Sequence, residues 1–199
     1  MVVRSLPDKA GVWQRLHAVL LVELNGTDEF DWNRAIIHAS FAKAPSRGED
    51  TVPNPTVRGK SSSKHHVMTD AHGIPLAPTA TAAKVTEVTQ VLGVLTSMPP
   101  VDGKPGPKRE RPERLQGDRG YDSELRRRLL RWLGITAILA ARYTEHGSKL
   151  GVFRWFAERT NSWLYRFGRL RRRPDRLSEI QNAFLQLACA LIFLTFLCP

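Results

Sequence analysis

The apolar positions of residues 12–24, "VWQRLHAVLLVEL", recur at Val12, Leu16, Val19, Leu20 and Leu24, a spacing that predicts a helix burying that stripe. In "FDWNRAIIHAS" the apolar run at 35–37 predicts a short buried strand. The pattern then breaks. Residues 41–63, "FAKAPSRGEDTVPNPTVRGKSSS", are rich in Pro, Ser, Gly and Lys and are expected to form a long flexible loop that orders on a ligand. In "KHHVMTDAHGIPLAPTATA" (64–82) two extended runs flank the turn residues "DAHG", which predicts a β-hairpin. Residues 84–98 return to helical spacing at Val85, Val88, Leu92 and Leu95.

The second half continues the alternation. "PPVDGKPGPKRERPERL" is a basic linker that its Pro and Gly keep non-helical. In "LQGDRGYDSEL" only Leu115 signals a strand, Asp118 sits where the chain turns toward a helix, and Asp122 is placed to cap that helix. "DSELRRRLLRWLG" predicts a helix ending at Gly134, and "ITAILA" a further buried strand. Strands and helices alternate without internal repeats, so the expected class is α/β in one domain.

Residues 151–173, "GVFRWFAERTNSWLYRFGRLRRR", carry a single carboxylate, Glu158, among arginines and aromatic rings. Val152, Phe156, Trp163 and Phe167 form the expected buried stripe, and Glu158, about 200° around the helix from Phe156, points away from it. Two readings follow from the residues: a surface pair with Arg154, or a ligand for a metal ion.

Charge changes the picture. The 199 residues carry 30 Lys+Arg against 19 Asp+Glu, a net charge of +11. That favours a polyanionic partner, nucleic acid before an anionic membrane. Cys189 and Cys198 offer neither a disulfide framework nor zinc spacing, which suits a reducing cytoplasm, and the first residues lack an apolar signal region. The apolar stretch 183–199 is at the lower limit for crossing a bilayer. Its polar lead-in "DRLSEIQN" makes a packed terminal helix the expectation, and a membrane span the less favoured alternative.

"DWNRAIIHAS", "SKHHVMTDAHGIPLA", "GDRGYD", "TEHGSKLGVFRWFAERTNSWLYRFGRLRRR" and "AFLQLACALI" occur in an order and spacing that resemble bacterial insertion-sequence transposases of the DDE type, in the group named for insertion sequence five. The resemblance runs from about residue 12 to the end. It implies an RNase H-like core, a mixed five-stranded sheet flanked by helices. It also implies three acids holding two divalent ions, Mg²⁺ or Mn²⁺, for in-line phosphoryl transfer on DNA. Carried over by motif, Asp118 is the second acid and Glu158 the third. The partners implied are transposon ends and target DNA, a homo-oligomer, and a separate product of an N-terminal reading frame.

The first acid departs from the pattern. Its position at the end of the first strand holds His38, and a neutral imidazole is a poor ligand for a hard Mg²⁺. Asp31 lies seven residues upstream, and Asp70 falls beside the hairpin turn, opposite the start of that strand. After the hairpin, "TAAKVTEVTQ" keeps only Glu87 of the family's acidic turn. At most one helix of an N-terminal DNA-end-binding domain precedes the core, so the domains are expected at 1–30 and 31–199. The expected function is a transposase catalytic domain with impaired cleavage. The alternative is a catalytically silent DNA-binding remnant or accessory protein of an insertion sequence.

The expected DNA contacts are Lys64, Arg119, Arg154, Arg159, Arg169, Arg171 and Arg172. Lys104, Lys108, Arg109, Arg111, Arg114, Arg166, Arg173 and Arg176 extend the two basic clusters beside the acidic site. Trp163 and Phe167 are expected in the core, and Tyr165 is the candidate for stacking on an unpaired base. His65 and His66 are expected as exposed strand residues, with an adventitious metal site near His38 as the other reading.

Overall fold

The computed structural model describes residues 11–27, 29–142 and 151–198. In chain order these form α1 (Val12–Gly26), β1 (Ala35–Lys43), β2 (Val52–Asn54), β3 (Lys60–Asp70), β4 (Pro75–Ala82), α2 (Glu87–Thr96), β5 (Arg114–Gly117), α3 (Glu124–Trp132), β6 (Thr136–Leu139), α4 (Gly151–Arg166), α5 (Gly168–Arg171) and α6 (Ser178–Leu197). The sheet runs β3-β1-β5-β6, and both β4 and the three-residue β2 pair along the outer edge of β3. β3 is antiparallel to β1 and β4, whereas β5 is parallel to both β1 and β6. This is an RNase H-like mixed sheet with flanking helices. Its sixth strand is β2.

Local chemistry explains the hairpin. Asp70 Oδ1 accepts from the backbone N–H groups of His72 and Ile74, and Oδ2 accepts from Asp31 N, so one carboxylate ties the turn to the entry of β1. Gly73 takes φ 83°, a conformation that favours glycine. Thr160 of α4 donates to the Gly73 carbonyl at 2.6 Å and docks the helix on the turn. The Ala35↔Asp70 register places Asp70 opposite the start of β1, as the sequence implied.

Three expectations are corrected. β1 runs on to Lys43, and residues 52–54 and 60–63 are strand, so the segment 41–63 is not one long loop. Its turn is anchored: Glu49 Oε2 accepts from both the backbone N–H and the hydroxyl of Ser178, capping α6 from more than a hundred residues away.

Helix α1 is rotated relative to the expected stripe. His17, Leu21 and Leu24 are buried, while Val12 and Val19 are 47% and 58% exposed. The helix is apolar on two sides, and tertiary contacts choose between them: His17 lies 5.0 Å from the Phe193 ring of α6, and Trp32 Nε1 donates to Asn25 Oδ1. In α4 the buried line is Ala157, Thr160 and Leu164, about one residue from the expected stripe. Phe156, Trp163 and Phe167 are half-buried beside it, and Val152 lies outside the described side chains.

α6 buries Gln181, Leu185, Ala188, Cys189, Ile192 and Phe193 against the sheet and α1, and leaves Leu191 and Leu194 exposed. By length and composition it is also apolar enough to cross a bilayer.

Candidate functional site

β5 leads to Asp118, the residue expected as the second acid, at the sheet's end. The parallel register Ile37↔Gly117 makes His38 and Asp118 the next positions on two adjacent strands. Asp118 is exposed, and its Oδ1 accepts from Gly120 N at 2.8 Å, which shapes the single helical turn 119–121. Gly117 is the only residue type that fits there without displacement: a Cβ would come within 3.0 Å of Ile37 and 3.1 Å of Leu139. Asp122 does not cap α3. Ser123 does, accepting from Arg126 N.

His38 lies buried on the sheet face covered by α4. Its Nε2 stands 3.2 Å from Asn161 Oδ1, and its Nδ1 is buried without a hydrogen-bond partner. Burial lowers its pKa to about 4, with the Asn161 bond opposing the shift, so the ring is neutral near pH 7. Glu158 is exposed, one turn before Asn161 on α4. Among the described residues no three His, Cys, Asp or Glu side chains are grouped to hold a metal ion. A cage for hard divalent ions needs carboxylates where this chain has a neutral imidazole, so these residues do not fit the full two-ion site.

The opposite face of the sheet holds a polar cluster that sequence reasoning did not foresee. Lys64 Nζ donates to Glu87 Oε1 at 2.6 Å and to the Val85 carbonyl, and the lysine side chain is only 5% exposed. Burial works against ionisation of Glu87, yet the Lys64 bond and charge bring its carboxyl below the ordinary range. His66 lies 3.0 Å from Thr81 Oγ1 and 3.4 Å from the hydroxyl of buried Tyr121. On the α6 side of the sheet, His65 Nε2 lies 2.7 Å from Gln181 Nε2. Both histidines are fully buried, contrary to the expected exposure, and burial lowers each pKa to about 4. The signal that was available is the tandem His-His in an alternating strand, which sends one ring to each face.

The expected DNA contacts divide. Lys64 is spent on Glu87. Arg159 stacks over Trp155, Trp163 and Phe156 and donates to the His72 carbonyl. Arg169 holds Asp175 through both carboxylate oxygens and lies over Phe184. Arg119 is half-buried on the turn after Asp118, and Arg171 and Arg172 are exposed. The Arg154 side chain lies outside the described residues. Arg173 is buried, donating to the Asp175 and Arg176 carbonyls. Tyr165 is half-buried, and its hydroxyl donates to the Phe41 carbonyl. Trp163 and Phe167 pack against the core as expected.

Residues 33–193 match the family model of the transposase DDE domain. This chain belongs to that family. Over 142 residues it is 51% identical to the putative transposase for insertion sequence element IS402 of Burkholderia cepacia, covering 71% of this chain and 67% of that protein. Over 48 residues it is 38% identical to the uncharacterized 16.2 kDa protein of the same insertion element, covering 24% of this chain and 33% of that one. A chain from the simian T-cell lymphotropic virus intasome in complex with PP2A regulatory subunit B56 gamma is similar in backbone, with a TM-score of 0.45 and 16% identity over 80% of this chain and 48% of that chain. The chain thus spans a part of each relative rather than the whole. The family generally works with divalent metal ions.

Proposed function

We propose that the chain is the catalytic-core portion of an insertion-sequence transposase that grips DNA and cleaves it poorly by itself. The observation that carries this reading is the parallel register that sets His38 level with Asp118 beneath the helix bearing Glu158. In this reading Asp118 and Glu158 are the two acids that remain, and His38 takes the place of the first. A neutral, buried imidazole adds no negative charge, so the site attracts divalent cations less than three carboxylates would.

Arg171, Arg172 and Arg119 supply phosphate contacts. Residues 31–199 are the core, and residues 1–30 hold the last helix of a DNA-end-binding domain. The partners are transposon ends and target DNA, a second copy of the chain, and a product of a separate reading frame. The two similar proteins named for the same element support that last partner. The compartment is the cytoplasm.

A second reading is favoured by the buried, neutral His38: a silent DNA-binding protein that acts beside active copies of the element. The test compares plasmid nicking by this chain and by His38→Asp, with Mg²⁺ and with Mn²⁺. The proposal expects nicking to appear or rise steeply with His38→Asp. Robust Mg²⁺-dependent nicking by the unaltered chain would overturn the impairment. No DNA binding by either protein would overturn both readings.

A further inference from the structure

Asp122 and Arg142 stand at a junction that the candidate site does not use. Asp122 Oδ1 accepts from Arg127 Nε at 2.8 Å, and Oδ2 accepts from the backbone N–H of Arg142 at 3.0 Å. The Arg142 guanidinium in turn donates to the Arg119 carbonyl at 2.9 Å and to the Gly120 carbonyl at 3.1 Å. Arg127 adds a bond from Nη2 to the Leu139 carbonyl, the last residue of β6. The exit of β6 is thereby bolted to the turn that carries Asp118. From the other side, fully buried Tyr121 plugs the same turn into the core.

The Arg119 and Gly120 carbonyls belong to an exposed or half-buried turn, where water satisfies such groups at no cost. An arginine fork on both is therefore not needed to satisfy them. What it adds is geometry, because the planar guanidinium fixes two carbonyls relative to each other. Gly120 is also the residue whose N–H holds the Asp118 carboxylate.

We propose that Arg142 and Asp122 are positioning residues that hold the Asp118 carboxylate through Gly120, and that they couple this acid to the exit of β6. The proposal rests on the reading of Asp118 as a cation ligand. Arg142 is exposed, so its substitution leaves the core intact.

The test uses the full chain with Arg142→Gln, Arg142→Lys and Asp122→Asn, and has two readouts. Amide hydrogen exchange at Gly120 and Tyr121 should accelerate about tenfold or more in Arg142→Gln and Asp122→Asn, with β1 amides unchanged. Arg142→Lys, which keeps charge but not the fork, should fall between. Mn²⁺ affinity, followed by paramagnetic broadening of the Gly120 resonance, should weaken by about tenfold or more, as loss of an outer support to a ligand does. Unchanged exchange in both variants overturns the clamp. Faster exchange with unchanged Mn²⁺ affinity overturns the positioning role and leaves a purely structural one. Absence of Mn²⁺ broadening in the unaltered chain overturns the cation reading itself, and the proposal falls with it while the exchange result stands separately.

Discussion

His38 Nε2 and Asn161 Oδ1 lie 3.2 Å apart, which joins the middle of β1 to the middle of α4. With Asn161 accepting, the ring proton sits on Nε2 and the lone pair on Nδ1, a buried atom with no hydrogen-bond partner. The contact thus fixes the tautomer and the ring plane at the position proposed for the first acid. It also ties the helix bearing Glu158 to the strand beside Asp118.

Replacing Asn161 with Leu removes the acceptor and leaves a buried N–H unpaired. The expected loss is about 1–3 kcal/mol of unfolding free energy, measured from urea midpoints. An unchanged midpoint would mean that the ring finds another partner.

Acid should unfold this protein well above the carboxylate range. Burial lowers the pKa of His17, His38, His65 and His66 from 6.5 to about 4. Each ring binds its proton less readily folded than unfolded. Its contribution to stability is therefore complete above the unfolded value and is lost as pH falls toward the folded one. Asp70 runs the other way: burial pushes its carboxyl from 3.8 up to about 6, so the fold retains that proton and gains stability as pH falls through this window. Several rings against one carboxyl leave a net loss. The urea midpoint should drop steadily between about pH 7 and about pH 5, and a flat profile would contradict the burial of these rings.

The strand-hairpin-helix alternation was legible because β1, the β3–β4 hairpin and β6 follow local patterns, and Gly134, with φ 75°, ends α3 where expected. Other features depend on distant partners. The face that α1 buries is chosen by Phe193 and Trp32, which no local window contains. The clamp on the Asp118 turn joins Asp122 to Arg142, twenty residues apart, so Asp122 read as a helix cap. His38 and Asp118 were singled out by motif, and the parallel register makes them the next positions on two adjacent strands. Lys64 misled because charge alone says nothing about burial.

The misread segment 41–63 gives its own prediction. Glu49 caps the N-terminus of α6 through Ser178, and Glu49 N donates to the Arg176 carbonyl. Gly48, with φ 116°, brings the turn so close that a Cβ would meet the Arg176 carbonyl oxygen at 2.4 Å. Glu49→Gln should speed amide exchange at Ser178 and leave the β1 amides unaffected. Gly48→Ala should destabilise more than Glu49→Gln, because backbone on both sides must shift. Thermal melts of the pair decide the order.

Salt dependence separates the basic residues by what they do. Exposed Arg171 and Arg172 are the candidates for phosphate contacts, and each replaced by Ala should lower the slope of log K against log salt by about 1, uniformly across sequences. Lys64→Met should leave that slope unchanged, since its ammonium is committed to Glu87 and Val85 beneath the surface. It should instead cost about 2 kcal/mol or more of stability, because Glu87 is left part-buried without its cation. Filter binding across a salt series, paired with urea unfolding, measures both. A Lys64 variant that folds as stably as the parent but binds DNA with a shallower slope would return this residue to the DNA face.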